Sequence, residues 1–332
     1  MEKYLEDYEG KKVLVTGGAG CIGSNLTRAL TKIGVEKIYV LDDLSSSKRW
    51  NVPKDPDVVF VRGSILDEEV LKEVFSEKPD YVFHLAALFA NQNSIDHPET
   101  DLMVNGLGAL KVLQYSHVSR VEKFVFASSG CSVYGSQAPL PLKEDFVSLH
   151  LDTPYQITKL LGELYCNFFR NYYGLKVAIA RLFNVYGPGE IPGKYRNVIP
   201  NFIYWAMHGR SLPIMGTGEE TRDFTFVDDA ANGLLRAGVV QEAVGEAINI
   251  ASETESKVID LANIINELTG NKNGLEFVER RKWDKITRRR ASIEKARKIL
   301  GYDPKIDMKT GIHRTIDWFL ENKEKIEASV RF

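Results

Sequence analysis

A glycine-spaced turn near the N-terminus constrains this chain more than any other feature. Gly17-Gly18-Ala19-Gly20-Cys21-Ile22-Gly23 follows directly on the apolar run Val13-Leu14-Val15-Thr16 and opens a helical stretch reaching to about Ile33. A strand that turns through closely spaced glycines into a helix offers backbone N–H groups and the positive helix end to an anion. In a GxxGxxG spacing the first glycine permits the tight turn, the second lets the backbone approach a pyrophosphate, and the third lets helix and strand pack closely. Asp42 ends the next apolar run, at the distance expected of an acid that reads the ribose of a dinucleotide. A carboxylate there accepts bonds from the 2′- and 3′-hydroxyls and repels a 2′-phosphate, so the expected cofactor is NAD rather than NADP.

The same alternation continues down the first half. Lys37 to Leu41, Val58 to Val61, Tyr81 to Leu85, Lys123 to Ala127 and Lys176 to Ala180 are apolar, largely β-branched or aromatic runs, each followed by a segment of helical length. Strands alternating with helices imply parallel pairing through right-handed crossovers, hence an α/β fold: a Rossmann-type doubly wound parallel sheet. From Arg181 onward Gly and Pro become frequent, as in Gly187-Pro188-Gly189, Pro192-Gly193 and Gly216-Thr217-Gly218, the pattern of long loops around a smaller lobe. One alternation returns at Ala247 to Ala251, and the end, Asp307 to Arg331, reads as an amphipathic helix with a charged tail. The expected division is an NAD-binding domain over residues 1–180 with return segments at about 222–251, and a smaller C-terminal substrate-binding lobe in 181–332. A ligand between the two lobes is the natural expectation.

Composition narrows the function classes. The formal net charge is −2, from 43 Lys and Arg against 45 Asp and Glu, which argues against a nucleic-acid partner. The charged start MEKYLEDYEGKK lacks the apolar core of a signal peptide, and no stretch approaches a membrane span, so a cytoplasmic protein without a membrane partner is expected. Cys21, Cys131 and Cys166 are too few and scattered for a disulfide framework or a zinc site, and no metal is expected.

A second constellation carries chemistry. Tyr155 and Lys159 are four residues apart at the head of a helical stretch whose apolar positions, Leu160, Leu161, Leu164, Phe168, Phe169 and Tyr172, read as a buried stripe. The two share a helix face. An ammonium beside a phenol favours the phenolate, as does the positive nicotinamide ring of NAD, so a Tyr base usable near neutral pH is expected.

Taken in order, these segments resemble the extended short-chain dehydrogenase/reductase family, in particular its NAD-dependent sugar-nucleotide epimerases and dehydratases, closest in pattern to UDP-glucose 4-epimerase-like proteins. The matching segments are Thr16 to Gly23, Leu41-Asp42-Asp43-Leu44-Ser45, His84-Leu85-Ala86-Ala87, Asn105-Gly106-Leu107-Gly108, Ala127-Ser128-Ser129 and Val133-Tyr134-Gly135. Further on come Pro154-Tyr155 with Lys159, Arg181 to Gly189, Asn197-Val198-Ile199-Pro200, Thr221-Arg222-Asp223-Phe224, and Arg281 with Asp284. The resemblance implies that Gly17, Gly20, Cys21, Ile22, Gly23, Asp42, Asp43, Ser64, Ile65, Leu85, Ala86, Ala87, Asn105, Tyr155 and Lys159 contact the cofactor. It implies Tyr155 as the acid/base on a sugar hydroxyl, Lys159 as the residue that holds the nicotinamide ribose, and Ser129 as a partner of the same hydroxyl. Asn184, Arg222 and Arg281 would grip a nucleotide diphosphate, and Asn197, Val198, Ile199 and Asp284 would frame the base and its ribose. Planar guanidinium forks suit phosphate oxygens. A homodimer is implied, since many relatives pair through two helices of the cofactor domain.

The loop after the fifth strand separates the reactions. Dehydratases of this family carry an Asp-Glu pair there and nucleotide-glucuronate decarboxylases a Glu; here Ser129-Gly130-Cys131-Ser132-Val133 contains no carboxylate. Reversible epimerisation at C4 needs none, and a nucleotide-sugar 4-epimerase acting on a UDP-hexose, UDP-hexuronate or N-acetyl derivative is the leading reading. Cys131 falls where 3,5-epimerases of the family place an acid/base cysteine, so a 3,5-epimerase or dehydratase using Cys131 is the alternative, and a non-catalytic NAD-binding scaffold the alternative from another class. Two departures stand out: Ser64 replaces an Asp after Gly63, and Trp283 replaces a Gly before Asp284. The basic segment Glu279 to Arg290 is expected to send one or two residues to ligand and the rest to water.

Overall fold

The computed structural model describes residues 3–332. Seven apolar runs form one sheet: β1 (Lys12–Thr16), β2 (Lys37–Asp42), β3 (Val58–Arg62), β4 (Tyr81–His84), β5 (Lys123–Ser129), β6 (Val177–Leu182) and, after a long excursion, a strand at Ala247–Ile250. The excursion and the C-terminal part add short pairs: β7 (Val185–Tyr186) with β10 (Thr225–Phe226), β8 (Leu212–Met215) with β13 (Leu275–Val278), and β9 (Thr221–Asp223) with β12 (Glu255–Lys257). The Ala247–Ile250 strand is β11, and the main order is β11-β6-β5-β4-β1-β2-β3. Every neighbour in it is parallel.

Continuous apolar runs are what such a sheet requires, because both faces are covered. On β1, Val13 and Val15 join one buried cluster and Leu14 the other. The helix Val227–Val239 covers the first face, where its Leu234 packs in the same cluster as Leu26 of the helix Cys21–Leu30, and its Leu235 carbonyl accepts a 2.7 Å bond from Tyr8. The chain therefore does return to the main sheet, through that helix and β11.

The helix Pro154–Tyr173 begins as its sequence dictates. Thr153 caps it by accepting from the Gln156 N–H, Pro154 stands in its first turn, and Gly174 ends it at φ +71. The face turned to the protein differs from the expected stripe. Tyr155, Thr158, Lys159, Gly162, Glu163, Cys166 and Phe169 are buried, whereas Leu164, Phe168 and Tyr172 are exposed. The inward face is set by Gly162, where an added Cβ would lie 2.2 Å from the Phe126 ring, so the helix sits on β5 through its smallest residue. Beside it runs Leu102–Gly108, a π-helical segment with nothing in the sequence to announce it. No helix among the described residues is long and apolar enough to cross a membrane.

Candidate active site

Strand order reverses between β1 and β4, and ligands of such sheets bind beyond the carboxyl ends at that point. There, Thr16 pairs with His84, so the turn Gly17–Gly23 and the segment Leu85–Ala87 emerge side by side. Gly17 has φ +69, and a Cβ on it would meet the Ala86 nitrogen at 2.6 Å; a Cβ on Gly23 would meet the Gly17 carbonyl at 2.5 Å. Only glycine allows that approach. From this turn a cavity of about 580 Å³ runs between the sheet and the C-terminal elements as far as Arg281 and Asp284.

The turn end of the cavity has the donor set of a dinucleotide site. Asp42 is 9% exposed and ends β2. Its Oδ2 accepts from Ala19 N–H at 3.0 Å, and its Oδ1 accepts from Leu44 N–H at 2.9 Å and Ser47 Oγ at 2.7 Å. Three donors leave a carboxylate with acceptor capacity for a hydroxyl. Gly17, Gly20, Cys21, Ile22, Gly23, Asp42, Asp43, Ser64, Ile65, Leu85, Ala86 and Ala87 all line the cavity. The glycine cradle and the carboxylate with a spare acceptor fit NAD.

Asn105 is not in that lining. It is buried and holds the loop behind the site: Leu88 N–H donates to its Oδ1 at 2.8 Å, and its Nδ2 donates to the Leu88 carbonyl at 3.2 Å and to Asp101 at 2.7 Å. Through these bonds Asn105 braces the Leu85–Phe89 segment from outside the cavity lining. His84 is likewise structural, bonded to Thr16 Oγ1 at 2.8 Å and lowered to about 3 by burial, then by Lys159.

At the centre stand Ser129, Cys131, Tyr155 and Lys159. Gly130 gives the loop its path, since an added Cβ would collide with the Phe183 ring. Ser129 Oγ accepts from Ser132 Oγ at 2.9 Å. Lys159 Nζ donates to the Ala127 carbonyl at 2.9 Å and lies 5.7 Å from the Tyr155 ring centre. Burial lowers the ammonium to about 8, against Asp101, Cys166 and Glu163. The expectation that Lys159 makes Tyr155 acidic is corrected here: burial pushes the phenol above its ordinary range, Asp101 and Cys131 add to the rise, and only Ser129 opposes it. Desolvation outweighs the neighbouring cation because the ammonium is bonded to a carbonyl instead of the phenol.

Further along the cavity Asn184, Asn197, Val198, Arg222, Arg281 and Asp284 contribute to the lining. Ile199 does not; it is fully buried in the core. Asp284 is bonded to Arg222 at 3.1 and 3.2 Å, and Asn197 donates to Glu190 at 3.0 Å. Trp283 donates to Gln92 at 2.8 Å, joining the C-terminal segment to the short helix Asn91–Asp96, whose Ser94 Oγ accepts from the Tyr155 N–H. Glu190, Arg196 and Trp205, which carry no signal in the sequence, also line it, as does Arg289 of the basic segment Glu279 to Arg290. Arg196 reaches the Ser46 carbonyl across the cofactor end. Glu190 is buried with Oε2 unbonded, and burial raises it to about 7. Buried charges of this kind leave no local pattern; only the basic run around Arg289 gave any signal.

The family follows from a match over the part of the chain that builds the sheet and this cavity. The sequence model of the NAD dependent epimerase/dehydratase family matches residues 13–251. The chain belongs to that family. Among its relatives is a UDP-glucose 4-epimerase of Mycolicibacterium smegmatis, 34% identical over 93% of this chain and 98% of that one. Among solved structures, the epimerase Mth375 of the methanogen Methanothermobacter thermautotrophicus is 58% identical with a TM-score of 0.98, covering 99% of this chain and 98% of that one. The Bordetella bronchiseptica enzyme WbmF, in complex with NAD+ and UDP, is 38% identical with a TM-score of 0.85, over 97% of this chain and 96% of that one. As a member of this NAD-dependent epimerase family, the protein takes NAD as its cofactor, and the cavity end around Gly17–Gly23 and Asp42 is where the dinucleotide fits.

Proposed function

We propose that the protein is a nucleotide-sugar 4-epimerase acting on a UDP-hexose, UDP-hexuronate or N-acetyl derivative. The observation that carries this reading is the cluster of Ser129, Tyr155 and Lys159 beside a loop, Ser129 to Val133, that holds no carboxylate. The turn residues and Asp42 hold the dinucleotide, and Lys159 holds its nicotinamide ribose. When bound, NAD supplies the oxidising equivalent for C4 and gives it back. The chain's own part is the proton. Tyr155 Oη takes it from the C4 hydroxyl as the phenolate, which the positive nicotinamide ring of bound NAD favours against burial, while Ser129 Oγ hydrogen-bonds the same oxygen; after the 4-ketose has turned over in the cavity the neutral Tyr155 returns the proton and is a phenolate again. Burial that favours the neutral phenol assists the uptake of that proton, and the return step has to work against it. Arg222 and Arg281 take the diphosphate, and Asn184, Asn197, Val198 and Asp284 lie along the nucleotide.

In this reading residues 1–180, with the return through Val227–Val239 and β11, form the cofactor lobe, and most of 181–332 forms the sugar-nucleotide lobe. Uridine is favoured because relatives named for UDP-sugars, and WbmF in complex with UDP, match over nearly the whole chain. A homodimer is proposed from the apolar residues left uncovered on the helix Pro154–Tyr173, and the protein is proposed to work in the cytoplasm. The test is incubation with UDP-, dTDP-, GDP- and CDP-sugars in deuterated water, with products identified by NMR. Inversion at C4 with no deuterium on carbon is the expected result. Deuterium at C3 or C5 would instead assign Cys131 as an acid/base, and absence of any turnover or cofactor reduction would leave a scaffold.

A further inference from the structure

The cavity contains a buried cation, Arg289, that forms no ion pair with a carboxylate among the described residues. Arg289 is 4% exposed. Its neighbours in the basic run are paired or wet: Arg280 with Glu220 at 3.6 Å and Asp284 at 3.7 Å, Lys285 with Asp152 at 3.0 Å, Arg288 with Glu255 at 2.6 Å. Arg289 makes one bond, from Nη1 to the Gly130 carbonyl at 3.1 Å, and no ion pair among the described residues. Most of its N–H donors are therefore free while water is largely excluded. An isolated guanidinium is rarely kept buried unless an anion completes it. Arg222, of like charge, is close enough to add to the cost, while Asp284 and Cys131 lie near enough to relieve part of it.

The position says which part of a ligand would meet it. Gly130 and Cys131 follow directly on Ser129, and Tyr155 stands at the same point of the cavity, so Arg289 flanks the reacting end. The diphosphate has its own candidates in Arg222 and Arg281. A hexuronate carries its carboxylate on C5, next to the carbon whose hydroxyl Ser129 and Tyr155 address, and a planar guanidinium pairs with a carboxylate through two parallel bonds. We propose that Arg289 reads a carboxylate on the sugar, so that the preferred substrates are nucleotide hexuronates, with or without an N-acetylamino group, over the neutral hexoses. This rests on the reading of Ser129 and Tyr155 as the groups at C4.

The experiment is calorimetric titration of the NAD-loaded protein with UDP, UDP-glucose, UDP-glucuronate and the two N-acetylamino counterparts, for wild type, Arg289→Gln and Arg289→Lys. Wild type should bind the uronates about tenfold or more tighter than the hexoses. Arg289→Gln should abolish that ratio while leaving UDP affinity within about twofold, and Arg289→Lys should restore part of it. A merely structural arginine would not move the ratio. Equal loss for UDP alone would make Arg289 a diphosphate ligand, and a wild type without preference, or a ratio unchanged in Arg289→Gln, would overturn the proposal equally. If Arg289→Gln fails to retain NAD, the wild-type ratio and Arg289→Lys still decide. Neutral UDP-hexoses inverted at C4 with uronates ignored would sink this inference and leave the epimerase standing. Uronates held through Arg289 without inversion would do the reverse.

Discussion

Tyr155 and Asp42 are the two residues whose proposed roles make the sharpest single-site expectations. Removing one oxygen in Tyr155→Phe leaves the ring in place against Phe89, 6.1 Å away edge-on, so cofactor retention should be unchanged while turnover falls roughly 10²- to 10⁴-fold. Full activity in that variant, assayed on whichever nucleotide sugar is turned over, would refute the proton role. Asp42→Ala leaves the Ala19, Leu44 and Ser47 donors without their acceptor as well as removing the ribose partner. NAD affinity should fall by about 1–3 kcal/mol and discrimination against NADP should shrink, both measurable by fluorescence titration. Glu190 makes a different kind of prediction. Burial raises its carboxyl from the ordinary range to about 7, so the folded protein holds that proton where the unfolded chain has released it. Its contribution to stability is complete at pH 4 and lost as pH rises through about 7. Glu190→Gln, which mimics the neutral form, should gain on wild type by up to about 3 kcal/mol between pH 4 and pH 8 in urea unfolding. A difference between the two proteins that is independent of pH would show Glu190 to be ionised throughout. The Glu190 shift was not legible beforehand, since a Glu that folding buries looks in sequence like one that faces water.

Elements were legible to the extent that their own residues carry the reason for them. All seven strands of the main sheet coincide with the expected runs to within two residues at either end, because a sheet covered on both faces needs uninterrupted apolar sequence. The helix Pro154–Tyr173 shows the limit. Its existence and caps follow from Thr153, Pro154 and Gly174, but periodicity reports only that an apolar face exists, not which neighbour covers it. The inward face is instead decided by tertiary fit at Gly162. Replacing that glycine with alanine adds helix propensity of about 1 kcal/mol, yet the new Cβ would stand 2.2 Å from Phe126 Cζ. Overpacking costs about 1–3 kcal/mol, more when the neighbour is a fully buried ring, so the balance is unfavourable. Gly162→Ala should melt lower than wild type and lose activity through displacement of Lys159 and Tyr155, one and two turns away. A variant that melts higher would mean the helix can shift off β5 without loss.

At the scale of the whole molecule, the late return to the main sheet was legible in the apolar run at Ala247, which the structure carries as β11 beside β6. Assembly is where the chain's surface speaks instead. Leu164 is 57% exposed, Phe168 47% and Tyr172 74%, and on the adjoining π segment Leu102 is 54% and Met103 45% exposed. The two elements are in contact, since an added Cβ on Gly106 would lie 3.3 Å from Leu161 Cδ2. Large apolar side chains gathered on neighbouring helices make a patch of the sort that monomeric proteins rarely leave open, and Phe168 stacked on Tyr172 at 5.6 Å presents it as a flat aromatic surface. Two copies meeting about a twofold axis would cover that face with itself, helix against helix. Sedimentation at micromolar concentration should therefore find a dimer, and the double variant Leu164→Glu, Phe168→Glu should sediment as a monomer with its far-ultraviolet spectrum intact. Because Tyr155 and Lys159 lie on the opposite face of the same helix, that monomer should also turn over more slowly and melt at a lower temperature than the dimer. A wild type that sediments as a monomer, or a double variant that stays dimeric, would remove this face from the assembly.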